Sequence, residues 1–473
     1  MIKRTAPMIP TIIMIAVTNF AAMMNTTSVT ILLPVFMREF NVDMILVQWV
    51  VTAYLLATCI VAPIVGYISD RISLKKTFLL AVAGFGAATL CLGLTGNIYV
   101  FIALRAVQGF FGGMLMPLTQ SMIYQIFPRQ KQAQAISIWS TTNLLAPTIA
   151  PSLAGIISDA IGWQFIFFLE VPILLVIFCV AGKLVPYFKT SDDTERHPFD
   201  VSGLVLSVAG SLCLLVAFSN ITVWGLCSVP VLALTAIGFV ALAIFFYMEN
   251  RKAHPLLHVK VFSYEGFFSS VVLLCIGSML INATNNILPV FLQNIKGLTT
   301  TQTAFVMLPA PLAIMFIVPL MGKYYDRIGP QKMLTAIMCV GILACLALAN
   351  LDMTTSILVI VLTLILRDMG AGTVTMPATN MGMQAVPMEY ATHAAAVTSW
   401  VRQCVISLTI GLAVTFQTAR TTHYMEQFSA IADEATRYAQ SYCAAMHDIF
   451  TLMIACFAVG LVAVYFSKVR NRK

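Results

Sequence analysis

The sequence predicts an all-α, polytopic membrane protein with two six-helix bundles and two inserted helices, fourteen transmembrane helices in all. Three observations predict this fold class: an extreme composition, a series of apolar windows and a repeated loop. Of the 473 residues, 59% are hydrophobic and 10% are charged. A soluble domain has roughly 45–50% apolar and about 25% charged residues, so most of this apolar surface must lie in lipid.

The predicted spans are apolar windows long enough to cross a bilayer. A hydrocarbon core of about 30 Å requires about 20 apolar residues, because each backbone group in lipid must find its partner within its own helix. Such windows lie at residues 10–34, 46–68, 77–95, 98–122, 135–158, 164–184, 203–220, 228–248, 266–291, 302–322, 333–351, 355–380, 393–418 and 447–467.

The distribution of basic residues predicts the orientation. The run at 10–34 is too long for the apolar part of a signal peptide, so we interpret it as a retained first span. With the N-terminus inside, twenty of the 27 Lys and Arg residues lie in cytoplasmic segments, four lie outside and three within spans. This bias follows the positive-inside rule. Both termini are therefore expected in the cytoplasm, in the inner membrane, and the net charge of +8 reflects topology rather than a nucleic-acid partner.

An internal repeat relates the two ends of the chain. The segments 66–76 and 322–332 share a glycine, an Asp-Arg-Ile run and a final lysine in register, eight predicted spans apart. Arg105 in span four and Arg367 in span twelve form a second, weaker match between the two repeats. Parallel repeats of six helices are typical of secondary transporters. The predicted domains are a first bundle at 1–188, a linker with two inserted helices at 189–260 and a second bundle at 261–473.

These residues resemble those of the major facilitator superfamily, specifically its fourteen-span drug:proton antiporters of the EmrB/QacA type, near the lincomycin-resistance exporters. Residues 66–76 resemble the family's loop motif, 104–113 its span-four motif R-x-x-Q-G, and 163–172 its sixth span. The resemblance implies a major facilitator fold and proton-coupled export of lipophilic compounds, including cationic ones, by alternating access.

The chain departs from the family pattern at two places. The span-five antiporter motif keeps its prolines but has alanine for three glycines; its helix-packing residues are Pro147, Ala150, Pro151 and Gly155. Small residues at every fourth position still allow two helices to approach closely. Asn25 stands where the family's first span has aspartate, and Glu170 stands where its sixth span has asparagine. Because an amide carries no proton, the coupling carboxylate is expected to have moved.

Ionisable side chains within spans are the candidates for proton coupling, because burying each of them costs several kcal/mol. They are Glu170, Asp368, Arg105 and Arg402. The alternatives remain open: Glu170 as an interfacial acid paired with a neighbouring helix, Asp368 as a locally neutralised pair, and the arginines as structural groups bonded to backbone carbonyls.

Two further sets of residues are functional candidates. The resemblance implies that the loop motif latches the outward-facing state through charge pairs and a helix terminus; a mere topology signal is the alternative. The expected gating residues are Gly66, Asp70, Arg71, Lys75, Asp326 and Arg327. Polar residues within spans are expected to line a substrate cavity, with interhelical hydrogen bonding as the alternative. They are Asn25, Tyr54, Asn143, Asn282, Asn285 and Trp400.

Enzyme classes are not predicted, since the sequence has no G-x-S-x-G motif, no P-loop and no metal-binding spacing. We expect no cofactor other than protons as the coupling ion. The expected partners are a small-molecule substrate and the lipid bilayer; the protein is expected to be a monomer, and an accessory envelope protein remains open. The alternative functions are export of one metabolite, siderophore or lipid, and a non-transporting membrane sensor.

Overall fold

The structure is a computed structural model that describes residues 8–42, 44–61, 63–186, 200–225, 228–252, 255, 257–264, 266–431 and 433–467. Every regular element in these ranges is a helix, which confirms the predicted all-α class. The first eight helices are α1 (Met8–Ile31), α2 (Leu33–Glu39), α3 (Met44–Val61), α4 (Ile64–Ile72), α5 (Leu74–Leu94), α6 (Ile98–Ile126), α7 (Arg129–Ile161) and α8 (Gln164–Leu184).

The remaining helices lie between residues 201 and 466. They are α9 (Val201–Ser219), α10 (Ile221–Trp224), α11 (Val229–Arg251), α12 (Phe267–Val290), α13 (Thr300–Met307), α14 (Pro309–Ile328), α15 (Pro330–Ala349), α16 (Ile357–Arg367), α17 (Thr375–Ala385), α18 (Ala391–Gln427) and α19 (Glu434–Phe466). Short π-helical turns continue α12 at Phe291–Ile295 and α16 at Asp368–Gly372.

In the described ranges, twelve helices are long and apolar enough to cross a membrane. A thirteenth span results if the bent pair α3 and α4 is counted as one, although its two parts meet at 57°. Pro63 lies at this bend, where it precedes the first residue of α4. A proline has no N–H for the helical ladder, which accounts for a sharp kink. The predicted count of fourteen is thus not confirmed, and α7 is not among the spans found in the described residues.

The chain divides into two compact units, each assembled from three separate stretches of sequence. Unit 1 comprises Met1–Leu212, Ala241–Val261 and Val386–Trp400. Unit 2 comprises Cys213–Val240, Phe262–Ala385 and Val401–Lys473. The start of α18 therefore belongs to unit 1, together with the end of α11. The domain boundaries at 188 and 260 remain a prediction.

Unit 1 is built around packed helices and an aromatic cluster. Helix α1 packs along α7, α3 along α6, and α5 against both α6 and α8. At one end, Phe36 lies between Phe101 and Trp163, with ring centroids 5.1 and 5.2 Å away. All three rings are buried. Tilted and edge-to-face aromatic pairs of this kind stabilise beyond the area that they bury, which fixes the ends of α2, α6 and α8 relative to one another.

The backbone supports the repeat that the sequence predicts. Ser73 follows α4 with φ 85° and ψ 148°, and Gly329 follows α14 with φ 85° and ψ 150°. The two residues hold the same register position in the repeated motif. Residues with a side chain rarely adopt this conformation, so the same strained turn in both units indicates a common origin of the two segments.

Candidate functional site

The centre of unit 1 contains an amide that bridges two opposite charges. The Asn25 side chain on α1 donates from Nδ2 to Glu170 Oε2 on α8, at 2.7 Å. Its Oδ1 accepts a hydrogen bond from Arg105 Nη1 on α6, at 2.6 Å. All three side chains are at most 1% exposed. The carboxylate and the guanidinium are thus linked through one asparagine rather than by a direct ion pair.

Arg105 is held in place by groups from three helices. Its Nε donates to the backbone oxygen of Val50 at 3.1 Å, and its guanidinium carbon lies 4.3 Å from the centroid of the Tyr54 ring. Its Nη1 also donates to Gln108 Oε1, whose amide nitrogen in turn donates to Thr89 Oγ1 at 2.8 Å. Such contacts satisfy most of the donors of a buried arginine, and they fix its position without a second charge.

Glycines bring α3 and α6 close enough for these contacts. A Cβ on Gly109 would lie 2.8 Å from the Cα of Tyr54, and one on Gly113 would lie 2.9 Å from the Cα of Thr58. Ordinary contact begins at 3.4 Å, so neither position leaves room for a side chain. The span-four motif therefore supplies both the arginine and the backbone approach that presents Val50 and Tyr54 to it.

Two atoms of this network remain without a hydrogen-bond partner in the described part of the chain. They are Glu170 Oε1 and Arg105 Nη2, both buried. A buried, unpaired polar atom is costly, so each marks a place where a proton, water or ligand atom would stabilise the site. A carboxyl group with one paired and one free oxygen can take up a proton on the free oxygen and keep its bond to Asn25 on the other.

Unit 2 contains a related arrangement in which the carboxylate pairs directly with the arginine. On α16 and its π-helical extension, Arg367 Nε and Nη2 lie 2.7 and 2.5 Å from Asp368 Oδ1. Arg367 Nη1 also donates to Asn285 Oδ1 on α12, at 3.0 Å. This geometry matches the alternative of a locally neutralised pair that joins two helices, because both charges are satisfied within the unit.

The first copy of the loop motif contacts two other helices. Asp70 Oδ2 lies 2.7 Å from Nε2 of His393 on α18. Lys75 donates to the backbone oxygen of Gly182 in the last turn of α8, at 2.7 Å, where a helix terminus favours a cation. Arg71 contacts the hydroxyl of Tyr67. The second copy, Asp326 and Arg327, lies exposed in the last turn of α14.

Three of the predicted cavity residues have hydrogen bonds within their own unit. Trp400 is buried, and its Nε1 donates to Ser211 Oγ at 2.7 Å, so it is a core residue of unit 1 in this structure. Asn143 accepts a hydrogen bond from Asn19, at 3.0 Å, and joins α7 to α1. Asn282 donates within α12 to the oxygen of Ser278. These side chains thus take part in interhelical or intrahelical hydrogen bonds, and their place in a substrate cavity stays a prediction.

The remaining predicted residues are placed as follows. Arg402 lies on α18 in unit 2, near Cys275. In the proline motif of α7, Ala150 is buried and its backbone oxygen accepts a bond from Ser28 at 3.4 Å. A Cβ on Gly155 would meet nothing within 4 Å, so the close approach that we expected at Gly155 is absent. Pro147 lies within the same helix, and the side chain of Pro151 lies outside the described set.

Sequence reasoning missed Gln108, Asn19 and His393. Gln108 is part of the span-four motif, so the motif itself was the available signal. Asn19 and His393 had no such signal, because their partners are distant in the chain: Thr142 Oγ1 lies 2.8 Å from Asn19 Nδ2, and Asp70 contacts His393. No group of three or more potential metal ligands comes together among the described residues.

Comparison with known proteins places this site in a family. The model of the Major Facilitator Superfamily matches residues 15–410. The lincomycin resistance protein LmrB of Listeria monocytogenes is 26% identical over 460 residues, 97% of this chain and 96% of that protein. The tetracenomycin C resistance and export protein of Streptomyces glaucescens is 27% identical over 384 residues, 81% and 71% of the two chains. The crystal structure of the human organic anion transporter MFSD10 (TETRAN) has a TM-score of 0.66 at 12% identity and covers 97% of this chain and 99% of that one. The chain therefore belongs to the major facilitator superfamily and is a multi-pass membrane transporter.

Proposed function

We propose that this protein is a proton-coupled exporter of lipophilic compounds, several of them cationic, that works by alternating access. The observation that carries the proposal is the buried Asn25 bridge between Glu170 and Arg105, with one carboxyl oxygen left without a partner. A carboxyl group that must load and release a proton in each cycle needs a site that accommodates both of its forms. The neighbouring guanidinium stabilises the ionised form, and burial opposes it.

In this proposal Glu170 carries the proton and Asn25 transmits its charge state to Arg105. When Glu170 is ionised, the Asn25 amide donates to a full negative charge and its oxygen accepts more strongly from Arg105. When Glu170 is protonated, this polarisation falls, and the guanidinium depends on Val50 and Gln108 instead. Helices α1, α6 and α8 meet at these bonds, so a change of protonation alters how they are held together.

Asp368 and Arg402 are proposed to act in the same cycle from unit 2, and the motif residues Asp70 and Asp326 to gate it. The direct bonds of Asp368 to Arg367 favour a charge-balancing role over proton transport.

We further propose that α7 is the fourteenth span. Its 33 residues would extend about 50 Å at 1.5 Å per residue, well beyond the ~30 Å of the hydrocarbon core.

The remaining expectations enter the proposal unchanged. Both termini are placed in the cytoplasm on the positive-inside bias, the membrane is the inner membrane, and the protein acts as a monomer with protons as the coupling ion. Resistance and export proteins among the relatives support drug-like cargo.

Drug accumulation in energised cells tests this proposal. Cells that express the protein should accumulate less lincomycin, tetracenomycin C and lipophilic cationic dyes than cells with the empty vector, and a protonophore should abolish the difference. Cells that express Glu170→Gln at the same membrane level should behave like the vector control. Unchanged accumulation across a broad panel would contradict multidrug export, and export of a single compound would favour one specific cargo.

A further inference from the structure

A second network, separate from the Glu170 site, surrounds the imidazole of His393. This side chain is 1% exposed and packs against Gly66, where a Cβ would lie 2.6 Å from the imidazole Cε1. Its Nε2 lies 2.7 Å from Asp70 Oδ2. The glycine and the aspartate of the loop motif, residues 66–76, are thus both in contact with one histidine from the start of α18, within unit 1.

The other side of the imidazole contacts His258, which lies beyond the end of α11. The peptide N–H of His258 points to Nδ1 of His393 at 3.5 Å, a long hydrogen bond, and the two rings pack edge to face with centroids 4.6 Å apart. A peptide N–H can only donate, so Nδ1 must present its lone pair. In the neutral ring the proton is then on Nε2, where it is donated to Asp70.

The position of His258 is set by the end of α11. Glu249, whose side chain is fully buried, accepts from the peptide N–H of Leu257 on Oε2 at 3.0 Å. Its other oxygen lies 3.1 Å from Lys252 Nζ, which also binds Asp200 at 2.5 Å. A buried carboxylate that accepts a peptide N–H and an ammonium fixes the backbone immediately before His258.

We propose that His393 positions Asp70, and that the segment which leaves α11 selects the tautomer that His393 uses to do so. Contacts run from Glu249 through Leu257 and His258 to the imidazole, and from there to Asp70. The inserted helix α11 thereby acts on the loop motif, a role that the loop sequence does not reveal. The inference rests on the proposed function only in the gating role of residues 66–76.

Tautomer measurement by NMR tests the first step. The chain has six histidines, so ¹⁵N-labelled imidazoles are few enough to assign, with His393→Gln identifying the signal of interest. At a pH where the imidazole is neutral, wild-type protein should show His393 in the Nε2–H tautomer alone. Glu249→Ala should convert the signal to a mixture of both tautomers. Asp200→Asn, which removes a partner of Lys252 but leaves the Glu249 bond to Leu257, should leave the signal unchanged.

Hydrogen exchange tests the second step without any substrate. Peptides that cover residues 66–76 should lose protection in Glu249→Ala and His393→Ala, and keep it in His393→Gln, which retains an N–H donor near Asp70. His258→Ala, which removes only the ring contact, should weaken protection if Glu249→Ala does not fold. An unchanged His393 tautomer in folded Glu249→Ala would overturn the inference, as would unchanged protection in folded Glu249→Ala or, if that variant does not fold, in His258→Ala. Neither measurement uses a drug or a proton gradient, so failure of the export proposal would leave the result interpretable.

Discussion

The close approach of α3 and α6 at Gly109 makes a quantitative prediction. In Gly109→Ala the new Cβ would lie 2.8 Å from the Cα of Tyr54, and the two backbones must separate until at least 3.4 Å lies between these atoms. Overpacking of this kind costs about 1–3 kcal/mol. The same separation would lengthen the 3.1 Å bond from Arg105 Nε to Val50 O to about 3.7 Å, beyond hydrogen-bond range.

Loss of this bond adds to the cost. A hydrogen bond from a charged donor contributes about 1.5–3 kcal/mol, so Gly109→Ala should lower the free energy of unfolding by about 2–6 kcal/mol before any gain in helix propensity. Alanine in place of helical glycine gains up to ~1 kcal/mol. Gly155→Ala is the matched control, because the same helix-propensity gain applies there and its Cβ meets nothing within 4 Å.

Denaturant titration of the purified variants in mixed micelles measures the difference in unfolding free energy between them. Gly155→Ala should be as stable as wild type or slightly more stable, and Gly109→Ala clearly less stable. Transport by Gly109→Ala should also fall, because Arg105 loses its anchor on α3. Equal stability of the two alanine variants would refute the argument that glycine at 109 is required by the contact with Tyr54.

Two further predictions concern backbone strain and an ion pair. Ser73→Gly should stabilise the protein by about 1–2 kcal/mol, because it relieves the strain at φ 85° and costs only a few tenths of a kcal/mol for the lost cap to Lys76. Gly329→Ala should destabilise the protein by about 1–3 kcal/mol. The same denaturant titration checks both variants, and the opposite signs of their effects are the essential result. Burial raises the pKa of Asp200, but its hydrogen bonds with Lys252, the Gly203 N–H and Ser202 outweigh this and hold the pKa below its ordinary value. The stabilising effect of ionised Asp200 is therefore present above about pH 4 and is lost as the pH falls through its lower pKa in the folded protein. Asp200→Asn should be less stable than wild type at pH 7. Thermal unfolding should show this difference in stability shrinking towards acid pH.

The fold was largely predictable because it depends on local properties of the sequence. Apolar windows marked the helices, and the repeated motif located two segments whose backbone proves alike at Ser73 and Gly329. Helix α7 shows the limit of this approach. It is a continuous helix from Arg129 to Ile161, and its Thr142 and Asn143 accept hydrogen bonds from Asn19 on α1, contacts that no local pattern indicates.

The site was predictable residue by residue but not as an arrangement. Asn25 and Glu170 were each singled out, one as a lost acid and the other as a gained one, but they are 145 positions apart and no local pattern predicts that they share a hydrogen bond. Trp400 was assigned to a cavity on polarity alone, and it lies buried against Ser211. Asp368 was predicted as a coupling acid with a locally neutralised pair as the alternative, and it lies in direct contact with Arg367.

Substrate-dependent proton movement in proteoliposomes tests the central claim most directly. Wild-type protein should move protons against an exported drug, and Glu170→Gln should bind the same drug but move no protons in response to it. Asp448→Asn, which breaks an ion pair with Arg420 away from the Glu170 network, is the matched control and should couple normally. Normal drug-dependent proton movement in Glu170→Gln would contradict the assignment of Glu170 as the proton carrier.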